Sequence, residues 1–317
     1  MSDYIIKADL AGDVCFKPSF LQTKTRIYHS LDRYLTPAIL CDRLEGLPEQ
    51  FFNAQPRCWQ PINWTDIDFE QVLAIDLDTF LDIIKGALEI EASIKEYTHT
   101  SRQHLQLIHP AMARFVNGVI AEEDSFLELG LWEKQERQHT SALVRMYWQL
   151  TRQKTIPDLC IPKAYRSCNN AEMDLYRHGI HRIATEYSAV CLYLWLMART
   201  TGSIQQVFQE LLLDNISHLA KFWGFGKWLY LDRDYLGLKK KTNNHSSQHD
   251  SLKAIANITA IVKQIMKVLQ WESWNDTYKI ELIYTFTAVW QQMWTWNNSL
   301  TSEYLTVLFA SSLLNDL

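Results

Sequence analysis

The sequence predicts a mostly α-helical protein, and three observations carry that prediction. Ten glycines and eight prolines are too few turn residues for an all-β chain of 317 residues. The stretch from Leu131 to Gly179 has no internal glycine. Phe80, Ile84, Leu88 and Ala92 recur every four residues, the spacing of one helix face. A chain of this length with 47% hydrophobic and 21% charged residues can bury a large core. Its net charge of -5 offers no field to attract nucleic acid, and Lys239, Lys240 and Lys241 fall in a polar segment that reads as a solvated loop.

In chain order, residues 1–64 mix short apolar patches with Pro18, Pro37, Pro48 and Pro56 and read as a wrapping segment with one or two short helices around Ser30 to Glu45. Arg57-Cys58-Trp59-Gln60-Pro61 reads as a turn with a buried Trp, since proline fixes φ and ends a regular element. Residues 65–235 carry the main helices. Thr65 is the expected N-cap of a helix that runs to His109, where Pro110 stops it. A second helical stretch starts at Pro110, breaks near Gly130 and continues to Arg152. Pro157 and Pro162 mark a connection, and helices follow over Ala171 to Thr201 and Ile204 to Trp228. Residues 251–317 hold three further helical patterns, rich in Trp and Tyr, expected to pack as a second layer and to offer a dimer face.

Glu136 and His139 stand three residues apart on a helical segment, so they share a face, and Trp132, Leu129 and Leu143 on that face are apolar. A carboxylate and an imidazole facing one interior are half of a metal site, and a four-helix bundle with a repeated Glu-x-x-His helix completes such a site. Glu91 lies on or beside the first apolar stripe, with Glu96, of a second match at Glu96-Tyr97-Thr98-His99, as its rival. Glu186 is the single acid among Ile183, Ala184, Val190, Cys191, Leu194 and Met197, where a carboxylate is costly to bury unless it meets a cation, either a metal or Arg182. Asp214, Asn215 and His218 fall close together on one helix; a lone His there is more often a core residue, and here it is the fourth member of a set. Glu122 and Glu123 read as a solvated pair.

The six cysteines show no Cys-x-x-Cys pairing and read as free thiols of a reducing compartment. Met1 to Asp9 carries charge on both sides of a short apolar patch and does not read as a signal peptide. The most apolar run, Ser188 to Ala198, is too short for a membrane span. A cytoplasmic protein is expected.

Taken in order, these residues resemble the soluble acyl-carrier-protein desaturases. Cys58-Trp59-Gln60-Pro61 stands where that family has a Cys-Trp-Gln-Pro motif, Gly86, Glu91 and Tyr97 match its first metal helix, and Trp132 precedes Glu136 as a Trp does there. Glu186 corresponds to the third glutamate, and Asp214-Asn215-Ile216-Ser217-His218 meets the family's Asp-Glu-x-x-His except at Asn215, where the family places a glutamate ligand. The likeness covers roughly residues 55 to 230.

The resemblance implies a ferritin-like antiparallel four-helix bundle with extra N- and C-terminal helices. It implies an oxidoreductase that uses two iron ions, or manganese, with O2 as co-substrate. The implied substrate is a fatty acyl chain, carried as a thioester on an acyl carrier protein, with an electron donor such as a ferredoxin. The implied ligands are Glu91, Glu136, His139, Glu186 and His218, with Asp214 as ligand or outer partner and Asn215 at a ligand position. An amide oxygen is a poorer ligand for a hard cation than a carboxylate; Asp214 or Glu210 is then expected to supply the missing charge. Two other readings stand beside this one: a ferritin-like scaffold or binding protein with a degenerate metal site, and a heme-oxygenase-like di-metal oxidase of a small amino acid or fatty acid, in which Asp214 and His218 would be ligands.

Overall fold

In the computed structural model, which describes residues 19–120, 126–157, 171–230 and 258–310, the chain is mostly helical. The N-terminal segment forms three helices where one or two were expected: α1 (Phe20–Tyr34), α2 (Pro37–Glu45) and α3 (Leu47–Phe52). Local chemistry accounts for each start. Ser19 and Gln22 cap α1 reciprocally, Thr36 accepts from Ile39 N with Pro37 in the first turn of α2, and Pro48 sits at the start of α3. Their buried residues, among them Ile27, Leu31, Leu40 and Leu44, pack α1 on the helix that carries Glu186 and α2 on the one that carries His218.

Four long helices hold the centre: α4 (Leu77–Ile108), α6 (Leu131–Thr151), α7 (Ala171–Ala198) and α8 (Gly202–Leu229). α4 packs against α6 and α7, and α8 against α6 and α7. The expected helix start at Thr65 is corrected: residues 64–66 and 69–71 form 3-10 turns, and α4 begins at Leu77 with Asp76 accepting from Thr79 N at 2.9 Å. The intervening backbone is used elsewhere. Leu73 N donates to Arg199 O at 2.7 Å and Thr201 N to Gln71 O at 2.9 Å, tying this stretch to the turn between α7 and α8.

The break expected near Gly130 is there, directly before α6, but it opens earlier. α5 (Pro110–Asn117) ends at Gly118, whose φ of 76° lies in the left-handed region and whose absent Cβ would fall 1.9 Å from Glu128 O. A short antiparallel pair, β1 (Val119–Ile120) with β2 (Phe126–Glu128), then returns the chain to Gly130 and α6. The pair Glu122 and Glu123, and Cys15, Cys160, Cys168 and the lysines at 239–241, lie outside the described residues. Cys41, Cys58 and Cys191 are free thiols.

C-terminal helices α9 (258–268), α10 (Asp276–Ser299) and α11 (Ser302–Ala310) cover the centre. α10 lies on α7, α1 and α2, and α11 on α8. One anchor is electrostatic: Arg199, just past α7, meets Glu281 of α10 through Nε to Oε2 at 2.9 Å and Nη2 to Oε1 at 2.5 Å. Trp195 Nε1 adds a bond to Glu281 Oε2 at 3.0 Å, and Arg199 Nη1 one to Ala74 O at 3.1 Å. Among the described residues, no helix is long and apolar enough to cross a membrane.

Candidate metal centre

Glu91 of α4, Glu136 and His139 of α6, Glu186 of α7 and His218 of α8 meet in the interior, each at most 4% exposed. They form two overlapping groups, Glu91–Glu136–His139 and Glu136–Glu186–His218, with the ligand atoms of each group within 4.8 Å of one another. Glu136 belongs to both. The Glu-x-x-His spacing of α6 brings two of the groups to one face, and the other three helices each contribute one.

Both imidazoles present the same nitrogen inward. His139 Nδ1 lies 3.3 Å from Glu91 Oε2 and 3.3 Å from Glu136 Oε2. His218 Nδ1 lies 3.0 Å from Glu136 Oε1 and 3.3 Å from Glu186 Oε2. The outward nitrogens have acceptors: His139 Nε2 faces Asp214 Oδ2 at 3.3 Å, and His218 Nε2 faces Gln135 Oε1 at 3.0 Å. An acceptor behind the ring fixes the proton on Nε2 and leaves the Nδ1 lone pair free, the arrangement of a metal-binding histidine. The carboxylates are braced too. Tyr193 donates to Glu91 Oε1 at 2.5 Å and Trp132 Nε1 to Glu186 Oε1 at 2.8 Å.

What remains is a set of inward atoms with nothing to bind. Among the described residues, Glu136 Oε1 and Oε2, Glu186 Oε2 and His218 Nδ1 are buried and lack a hydrogen-bond partner despite their proximity. An unsatisfied buried polar atom costs about 1–3 kcal/mol, so four in one place make a cluster short of a partner. Oxygen and imidazole donors without sulfur suit iron or manganese. The buried Glu and His groups could thus hold a metal ion.

The electrostatics agree. Burial and the charge of Glu91 push the Glu136 carboxyl up, and burial, with Glu91 again adding, pushes Glu186 well above the carboxylate range. Burial also works to raise Glu91, but the neighbouring Glu136 carboxyl, the charge of His139 and the Tyr193 hydroxyl outweigh it and hold Glu91 low. Burial would lower His139; the carboxylates of Glu136 and Glu91 overcome it and raise this imidazole well above its usual value. For His218 burial wins and the value falls. The metal-free centre therefore favours the protonated forms of Glu136, Glu186 and His139, and a cation would replace those protons.

Asp214 does not join either group. Arg57 Nε donates to its Oδ1 at 2.8 Å and Trp59 Nε1 to its Oδ2 at 2.8 Å, so it stands behind His139. Glu210 is held by Arg57 Nη1 at 2.5 Å and by Gln60 N at 3.2 Å. Asp214 and Glu210, the expected sources of the charge missing at Asn215, are both engaged by Arg57. Asn215 is buried and its Nδ2 donates to Leu211 O at 2.8 Å, back along its own helix. Arg182, the alternative partner of Glu186, stands over the rings of Trp132 at 5.4 Å and Phe222 at 5.7 Å. The side chain of Glu96 lies outside the described residues.

Sequence reasoning missed Tyr193, Gln135 and the role of Arg57. Tyr193 follows Glu186 by seven residues, two helical turns, and that spacing could have placed it on the same face. Nothing local marks Gln135. No protein-family model matches the chain, and no curated protein or solved structure matches it either. The likeness to the desaturases rests on the ordered motif residues alone.

Proposed function

We propose that the chain is an O2-dependent di-iron oxidase built on a ferritin-like four-helix bundle, acting on a fatty acyl chain by desaturation or hydroxylation. The observation that supports it is the shared Glu136 between two inward-facing imidazoles, closed by Glu91 and Glu186. Glu91, Glu136 and His139 would hold one ion, and Glu136, Glu186 and His218 the other. Held by these residues, ferrous ions would supply electrons for O2 activation toward an unactivated C–H bond.

The chain's own residues do the rest. Trp132 and Tyr193 each fix one oxygen of a carboxylate, leaving the other free to bind. Asp214 and Gln135 hold the proton at Nε2 of the two histidines. Phe222, packed edge-on against Trp132 with centroids 5.1 Å apart, and the stacked Tyr193 and Phe208 help exclude water. Manganese in place of iron, a carrier thioester as substrate, an acyl carrier protein and a ferredoxin as partners, and a homodimer all belong to the same proposal.

Metal analysis of protein expressed with added iron tests it. Two ions are expected in the wild type, and Glu136→Ala should abolish binding with its helices still formed by circular dichroism; unchanged iron in that variant removes Glu136 from the site. A degenerate scaffold is the second reading, and Asn215 favours it, since three carboxylates face two dications. Asn215→Glu should tighten metal binding; a wild type with no iron and no gain in this variant would favour the scaffold. The third reading, with Asp214 and His218 as ligands, fits poorly with the engagement of Asp214 by Arg57 and Trp59.

A further inference from the structure

The two halves of the centre are nearly matched on the inside. Each has one carboxylate of its own, Glu91 or Glu186, each of these accepts one hydrogen bond from a buried aromatic, and both halves draw on Glu136. They differ in what stands behind the histidine. Behind His139 is a carboxylate, Asp214, fixed by Arg57 and Trp59 and covered by the Trp59 ring, which stacks on the imidazole at 6.0 Å and 30°. Behind His218 is the neutral amide of Gln135, and one turn before it on α8 stands Asn215, another amide.

We infer that the two half-sites bind unequally: the Glu91–His139 half takes its ion first and tightly, and the Glu186–His218 half takes a second, exchangeable ion. The inference deepens the metal reading above and rests on it. A carboxylate behind an imidazole raises the basicity of the opposite nitrogen and holds the ring in place, and losing such a partner typically costs about 10–100-fold in metal affinity. An amide orients its ring but adds no charge. The first half therefore presents a cation with Glu91 and Glu136, backed by Asp214, and the second with Glu136 and Glu186. Glu136 widens the gap: once it neutralises part of the first cation's charge, the second ion meets a carboxylate already engaged, at a position where two like charges repel strongly for want of water.

Titration of the metal-free full-length chain with Mn2+, followed by calorimetry and by the magnetic resonance signal of free Mn2+, tests this without reference to activity. Two steps are expected, the second weaker by about tenfold or more. His218→Ala should keep the tight ion and lose the weak one, and His139→Ala should lose the tight one. Asp214→Asn should weaken the tight step by about 10–100-fold and leave the weak one in place. Because these variants could misfold, Gln135→Glu gives an independent reading: a carboxylate behind His218 should tighten the second step and narrow the gap. Two ions of equal affinity, a tight ion lost in His218→Ala but kept in His139→Ala, or a gap unmoved by Gln135→Glu would overturn the inference and leave the metal centre standing. A wild-type chain that takes up no Mn2+ would overturn both.

Discussion

Arg199 with Glu281, and Glu136 with its neighbours, are two ways of burying charge in one protein. Arg199 and Glu281 are 2% and 1% exposed, opposite in sign, and matched atom to atom, with Trp195 and the Ala74 carbonyl taking up the remaining bonds. Glu91, Glu136 and Glu186 are as deeply buried, all three are acids, and Glu136 and Glu186 leave oxygens without a partner. The first set is complete within the chain and joins α10 to α7. The second is complete only with something positive added. Depth of burial does not separate a structural ion pair from a binding site here; what separates them is whether the donors and acceptors balance.

The largest effect should come from breaking the closed pair. Arg199→Met leaves Glu281 charged and unpaired, and removing one partner of a buried pair costs about 3–5 kcal/mol. Chemical denaturation should show that loss, and Arg199→Met with Glu281→Leu should recover most of it. Glu136→Gln, tested in the same way on metal-free protein, should cost little, since the amide replaces a carboxyl that the metal-free centre already keeps protonated; a loss as large as that of Arg199→Met would mean that the cluster is as closed as the ion pair.

Next in size is the gain from filling the open set. A ligand bound only by the folded state stabilises it by about 2.7 kcal/mol at a hundredfold excess over its dissociation constant. Wild type should show an upward shift of that order in melting with Mn2+, and Glu136→Gln should not. The closed pair gains nothing from the metal, so Arg199→Met should show the same shift from its lower starting point.

The smallest effect concerns pH. Raised values at Glu136 and Glu186 mean that the metal-free centre holds protons at a pH where free carboxylates have lost theirs. A cation must displace them, so binding releases protons and weakens as pH falls from the raised values toward the ordinary carboxylate range. Mn2+ affinity should rise between pH 6 and pH 8, with proton release measured by calorimetry in two buffers of different ionisation enthalpy; no release would place the protons elsewhere.

The groups of the centre were legible in the sequence where periodicity carried them. Glu136 and His139 lie at helical spacing within an apolar face, and Glu186 is the lone acid between Leu175 and Thr201, so burial followed from local pattern. Asp214 was legible as a residue but not in its role, because its partners, Arg57 and Trp59, come from a segment with no period of its own. Gln135 was invisible for a related reason: its partner lies on another helix, and the relative rotation of two helices is set by packing across the whole interface. The early end of α5 at Gly118 was missed because the glycine's meaning lies in the approach of Glu128 O, ten residues on.

The glycine at the start of α6 gives that helix a fixed zero. An added Cβ on Gly130 would fall 2.4 Å from Val116 O, so the hairpin clamps the first turn of α6 against the end of α5. Each residue of an α-helix advances the side chain by about 100°. One residue inserted between Gly130 and Glu136 would carry the carboxylate of Glu136 to the place now held by Arg137, whose side chain is 49% exposed, and swing His139 out with it. For this short stretch the count of residues matters more than their kind: most substitutions between the clamp and the centre leave the aim of Glu136 intact, and a change of length by one does not.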